Sequence, residues 1–294
     1  MPRSISEYTL ADWKRLRPVI HTLKNSRYRW IDHRYMRRPA QAGDPAAVTR
    51  AICGHNVLVT VGFNDPEVID WQALLLRYYV PRAFHIIVDN SSDKTAAEEI
   101  ANISSRYEIP YLKLPENPWH SSSRSHGIAL NWTWRNILQP GNPRTFGYID
   151  DDLFPTAPDN PFAPLDTQDF FGFVREAGPR WFLWAGYCTF RFDAVKNKPL
   201  DFGQDWFIGL DTGGCNWDVL YRHVKRDALQ GPSVIEMAYK PGIDVHLSPL
   251  QWYGTWLHEG GTNGNAALAP DKRRVVANIL TPHLKAARQI QHAD

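Results

Sequence analysis

Between residues 56 and 149 this 294-residue chain alternates continuous apolar runs with amphipathic stretches, and nothing else in it restricts the fold as much. NVLVTVGF (56–63), AFHIIVDN (83–90), IPYLKL (109–114) and TFGYI (145–149) are rich in aliphatic and aromatic residues, many of them β-branched, as strands covered on both faces must be. Helical segments separate them: one from Pro66 with Asp65 as its N-cap, one over 91–107 entered through Ser and Asp caps, and one over 122–138. Alternation at this spacing predicts a mostly parallel α/β sheet with right-handed crossovers.

Outside that block the pattern changes. Residues 10–24 can form a basic helix that Pro18 should break or kink, and 37–47 reads as a Pro/Gly/Ala linker. After residue 155 the alternation is lost. A strand or hairpin is predicted over 180–193, a helix over 215–229, a strand over 233–239, a Gly/aromatic-rich segment over 248–265 and a terminal helix from about Asp271. This divides the chain into a basic helical extension (1–50) and one domain (51–294). The domain comprises a ligand-binding half at about 55–155, an irregular half at about 156–265 and a helix at about 270–292.

The net charge of +2 hides an asymmetry: residues 1–50 hold 11 Lys/Arg against 4 Asp/Glu. Such a leader suits an anionic surface, or packs on the acidic body; no nucleic-acid motif accompanies it. No apolar stretch is long enough to span a bilayer, and the three cysteines form no CxxC pair, so a soluble cytoplasmic protein is expected.

Ligands of open α/β sheets bind beyond the carboxyl ends of the strands. Three polar clusters lie there: Asn64-Asp65, Asp89-Asn90-Ser91-Ser92-Asp93 and Asp150-Asp151-Asp152. In extended backbone Asp150 and Asp152 share a face and can converge on one cation, with Asp151 turned away. Hard carboxylate oxygens select Mg²⁺ or Mn²⁺, which bridge to substrate phosphates.

Together VLVTVGFN, VDNSSDKT (88–95), SHGIALN (125–131) and YIDDD resemble the nucleotide-sugar-dependent glycosyltransferases of the GT-A fold, particularly the family 2 type. The resemblance covers about residues 55–155 well, is looser to 265 and absent over 1–50. It implies a metal-dependent transfer from a nucleoside-diphosphate sugar, a UDP-sugar favoured, to a carbohydrate or other hydroxyl acceptor. On it, Asn64, Asp89, Asn90, Arg124, His126, Asp150 and Asp151 lie along the donor, although the usual Gly-Lys/Arg-Ala pattern is altered to RSHGIA. Asp150 and Asp152 hold the metal, joined by a late histidine, for which His258 fits better than His246. Asp211 stands where inverting members carry a general base, but Leu210 replaces the expected preceding Glu and Asp218 competes for the role. Trp206, Trp252 and Trp256 fall on the acceptor side, and Gly260-Gly261 would let a loop fold over the nucleotide.

Two other readings use the same features. A sugar nucleotidyltransferase would carry a Gly-rich basic loop after the first strand, which VGFNDPEV lacks. A non-catalytic nucleotide- or glycan-binding module would have no need of Asp150, Asp152 and His258. Donor sugar, linkage, stereochemistry and oligomeric state have no signature here.

Overall fold

A computed structural model describes residues 5–244, 248–260 and 269–291. Strand β1 (Asn56–Gly62) shows why the alternation produces a parallel sheet. From Val57 to Gly62 every residue is buried, because β2 (Phe84–Asp89) and β4 (Thr145–Asp150) flank it, with Val59 level with Ile86 on one side and Tyr148 on the other. β3 (Tyr111–Lys113) extends the parallel part. β7 (Arg180–Arg191) and β6 (Phe170–Ala177) then add an antiparallel hairpin, giving the order β3-β2-β1-β4-β7-β6.

The crossovers are α4 (Pro66–Tyr79), α5 (Lys94–Arg106) and α6 (Ser122–Thr133). Asp65 and Asp93 cap the first two by accepting from the backbone N–H of Val68 and Ala96. α6 runs on through a π-helical turn, Trp134–Leu138, into α7 (Gln139–Gly141), and a short α8 (Phe192–Val195) follows β7. A second, antiparallel sheet has the order β5-β10-β9-β8, built from β5 (Leu153–Pro155), β8 (Val234–Ala238), β9 (Pro249–Tyr253) and β10 (Trp256–His258). α9 (Ala269–Gln291) packs Val276, Leu280 and Leu284 with α4 into the core that this sheet shares. Because β5 follows β4 after two residues, the aspartate triplet lies at the joint between the sheets.

Four expectations need correction. Residues 215–229 form three short 3₁₀ turns rather than a helix: Trp217 and Tyr221 are drawn onto Trp181, and Asn216, Asp218 and Val219 are weak helix formers. The Gly/aromatic-rich segment at 248–265, expected to be irregular, holds β9 and β10; residues 261–265, Gly261 among them, lie outside the described residues, as does His246. The N-terminal helix breaks at Leu16, in left-handed conformation, between α1 (Leu10–Lys14) and α2 (Arg17–Tyr35), so that Pro18 sits harmlessly in the first turn of α2. In the linker, Gln41 and Ala42 pair with Lys113 of the edge strand β3, and Asp44 caps α3 (Pro45–Ala51). Among the described residues no helix is long and apolar enough to cross a membrane.

Candidate active site

β4 ends at Asp150, and the chain turns through Asp151 and Asp152 into β5. The turn, rather than strand alternation, brings Asp150 and Asp152 together. A buried glutamine from α4 closes it: Gln72 Nε2 donates to the carbonyls of Asp150 (2.6 Å) and Leu153 (2.7 Å), while its Oε1 accepts from Thr60. Asp151 points elsewhere, accepting from the Phe63 N–H at 3.1 Å. Burial and the flanking charges of Asp152 and Asp150 push its carboxyl well above the usual range.

The third member comes from the second sheet. His258 is buried at the end of β10, and ligand atoms of Asp150, Asp152 and His258 lie within 4.8 Å of one another. His258 Nε2 is 3.2 Å from Asp152 Oδ1. The other ring nitrogen, Nδ1, lies 2.9 Å from Gln251 Oε1, whose amide is oriented by donation from Nε2 to Glu236. An acceptor at Nδ1 places the neutral ring's proton there and leaves Nε2 as a lone pair facing a carboxylate. Either a second proton on Nε2 or a metal cation relieves the repulsion between the two lone pairs. Burial acts to lower the His258 pKa, but Asp152 and Asp150 outweigh it and hold the pKa up. The same cluster lowers Asp152 against the effect of burial, and Asp150 is raised by burial despite His126 nearby. Two carboxylates and an oriented imidazole are a donor set that fits a divalent metal.

α9 holds this arm from behind. Asp152 accepts from Gly260 N–H at 2.9 Å, and buried Lys272 donates to the Pro249 and Gly260 carbonyls. Gly260 has φ +53°, and a Cβ there would meet the His258 ring at 2.7 Å, so only glycine fits. Arg273 grips the wholly buried Glu259 through Nε and reaches Asp65 at 2.8 Å. Burial pushes the Glu259 carboxyl up to about 7, although Arg273 opposes it. Gln72, Gln251, Lys272 and Arg273 went unpredicted because polar residues inside amphipathic segments carry no sign of what they face.

His126 on α6 approaches Asp150 at 3.7 Å, and Asp211 is near enough for its charge to act on Asp150. Asp211 pairs with Arg175 of β6 at 2.9 Å and accepts from its neighbour Thr212 N–H. Its loop lies against β7, where Gly213 at φ +93° has no room for a Cβ beside the Leu183 carbonyl. Asp218 instead pairs with Arg222 beside a cavity of about 390 Å³ that Glu7, Arg180 and Trp217 also line.

The residues that the resemblance puts along the donor divide. Asn64, at φ +56°, joins the first two strand ends: its Oδ1 accepts from the Ser92 and Asp93 N–H groups. Asp89 is wholly buried and accepts from Tyr111 Oη (2.6 Å) and Ser91 N–H, with Lys113 at 3.3 Å; Asn90 is locked between Ser125 and Asn117. Both are therefore inside rather than open to a base. Arg124 lies on the ring of Tyr28 at 3.8 Å, with Trp119 and Trp206 around it. Trp256 is wholly buried with Nε1 on Asp159, so it has no open face for a sugar; Trp252 and Trp206 are half-buried.

No protein-family model matches the chain, and no curated protein does. Among solved structures it is similar to a mannosyltransferase from Pyrobaculum calidifontis in complex with GDP-Man and Mn²⁺, at 15% identity and a TM-score of 0.37 over 57% of this chain and 52% of that one. It thus spans about half the length of that enzyme. It is also similar to glucosyl-3-phosphoglycerate synthase from Mycobacterium tuberculosis in complex with Mn²⁺ and uridine-diphosphate-glucose, at 13% identity and a TM-score of 0.42 over 83% of this chain and 84% of that one. Four parallel strands, an antiparallel pair beyond β4 and a second sheet joined at the aspartate turn give this chain a GT-A-type α/β fold.

Proposed function

We propose that the chain is a metal-dependent glycosyltransferase acting on a nucleoside-diphosphate sugar and a hydroxyl acceptor. The convergence of Asp150, Asp152 and His258 at the carboxyl ends of parallel strands carries this reading. These three residues would hold the ion, and an oxygen-rich set with one imidazole favours Mn²⁺ over Mg²⁺. When bound, the ion supplies Lewis-acid stabilisation of the charge that develops on the departing diphosphate.

The chain's own groups do the rest. Gln251 keeps the His258 proton on Nδ1, Gly260 N–H fixes the Asp152 carboxylate, and His126 stands beside Asp150. Asp211, oriented by Arg175, takes the proton of the acceptor hydroxyl in an inverting displacement. Trp252, half-buried on β9, offers a ring face to the acceptor, whereas Trp206 is engaged by Phe207, stacked on it at 3.9 Å, and by Tyr28 of α2. Residues 51–294 form the catalytic unit with 1–50 appended to it, and the free thiols of Cys53, Cys188 and Cys215 suit the reducing cytoplasm.

A thermal-shift screen of UDP-, GDP- and dTDP-sugars with and without Mn²⁺, followed by assay of the released nucleotide, tests the proposal. Stabilisation that requires both ligands, with sugar release, is expected; the absence of any metal-dependent response overturns it. Asp211→Asn should retain donor binding and lose transfer by at least about 100-fold. Transfer at the wild-type rate would remove Asp211 from the mechanism.

A further inference from the structure

Helix α2 is anchored to the body by one face. His21, Tyr28, Asp32 and Tyr35, at spacings i, i+7, i+11 and i+14, share it. His21 packs on Phe207 at 4.7 Å, Tyr28 meets Trp119 and Arg124, Asp32 accepts from Trp119 Nε1 at 2.8 Å, and Tyr35 is buried. The opposite face of α2 carries Ile20, Leu23 and Trp30, Leu16 precedes it at the N-cap, and α1 adds Leu10 and Trp13. These six are between 43% and 83% exposed. Of the molecule's 13 exposed large apolar residues among those described, eight fall between Ile5 and Trp30. A soluble surface does not concentrate leucines and tryptophans in this way without something to cover them.

The same segment is strongly basic. Nine exposed Lys/Arg lie between residues 14 and 38, and Arg27 and Arg34 stand within the apolar stripe, Arg34 over the Trp30 ring at 4.8 Å. The carboxylates between residues 5 and 38 all face protein partners: Glu7 pairs with Arg180, Asp12 with Arg17, and Asp32 receives Trp119. The outer surface therefore combines positive charge, leucine and tryptophan on a helix lying flat against the molecule.

We propose that the outer face of α1 and α2 docks on an anionic lipid bilayer, its apolar side chains entering the headgroup boundary and its cations meeting lipid phosphates. Two other occupants fit the charge less well. A second copy would bring one cationic face against another, and a nucleic acid would leave the apolar stripe without a partner. This surface is independent of the transfer chemistry, although α2 also packs against Trp206, five residues before Asp211.

Co-sedimentation of the full chain with vesicles tests the proposal, comparing pure phosphatidylcholine with a mixture containing about a third phosphatidylglycerol. Binding to the mixed vesicles only is expected, weakened at least about tenfold between about 0.05 M and about 0.5 M salt. Arg27→Gln with Arg34→Gln should weaken it about 30-fold. Leu16→Asp with Leu23→Asp should weaken it more than about tenfold while the thermal midpoint stays in place, since both side chains are exposed. Brominated lipid should quench tryptophan fluorescence, and Trp13→Phe with Trp30→Phe should remove that quenching. Equal binding to neutral vesicles, no binding at low salt, or a concentration-dependent dimer dissolved by Leu23→Asp each overturns the proposal. Asp152→Asn should bind vesicles like the wild type, so membrane docking and catalysis fail separately.

Discussion

The candidate metal centre has two arms that are built differently. Asp150 and Asp152 sit two residues apart on a turn that β4 delivers, while His258 arrives from a different sheet more than a hundred residues later. The aspartate arm depends on local geometry and one clamp, Gln72. The histidine arm depends on a relay of Gln251, Gly260, Lys272 and Arg273 that spans β9, β10 and α9. A pair of carboxylates is readily placed by sequence neighbours, whereas an imidazole must be both positioned and held in the right tautomer. That second requirement recruits the supporting residues.

Substitutions in each arm measure this difference. Asp152→Asn should have the largest effect, lowering Mn²⁺ affinity and turnover by more than about 100-fold in calorimetry and transfer assays. Wild-type affinity would detach the aspartate arm from metal binding. Gln72→Leu leaves two buried carbonyls unpaired and should cost about 2–4 kcal/mol in denaturant unfolding, with Mn²⁺ binding weakened as the turn loosens. Unchanged stability would show that the turn does not need its clamp.

Gln251→Leu tests the histidine arm and should weaken Mn²⁺ roughly tenfold and cost about 1–3 kcal/mol of stability, because His258 Nδ1 and the buried Tyr253 hydroxyl then lose their shared acceptor. An unaltered affinity would mean that His258 needs no orientation. The smallest change is expected outside both arms, at Asp32. Burial raises its pKa to about 6, even with Trp119 donating to it. The folded state therefore binds this proton more tightly than the unfolded chain does, and stability declines as pH rises from about 4 to about 6. Asp32→Asn should flatten that part of the curve while keeping the acceptor for Trp119 Nε1; an unchanged slope would exclude Asp32 as its source.

Much of the aspartate arm was legible in the chain. Continuous β-branched runs admit only covered strands, Asp65 and Asp93 could be read as caps from their position before the helices, and three carboxylates at a strand end had to face either solvent or a cation. His258 stood out only through the family resemblance, since a lone histidine has no periodic partner. The second sheet was missed because β5 and β10 are three residues each, and aromatic-rich β9 reads equally as a loop. The family resemblance puts Asp89 along the donor and Trp256 on the acceptor side, yet both are wholly buried on protein partners.

By itself the sequence determined the parallel α/β core and the edge at which polar groups gather. Local periodicity and capping dictate those, because each is settled by neighbours within one or two turns. Which carboxylates share a cation site, which ring nitrogen faces them and which aromatic rings remain open was decided only in the tertiary structure. Those outcomes depend on contacts between residues such as Gln72 and Leu153, or Gly260 and Asp152, that lie about 80 and 108 positions apart. The chain has no local pattern that encodes them.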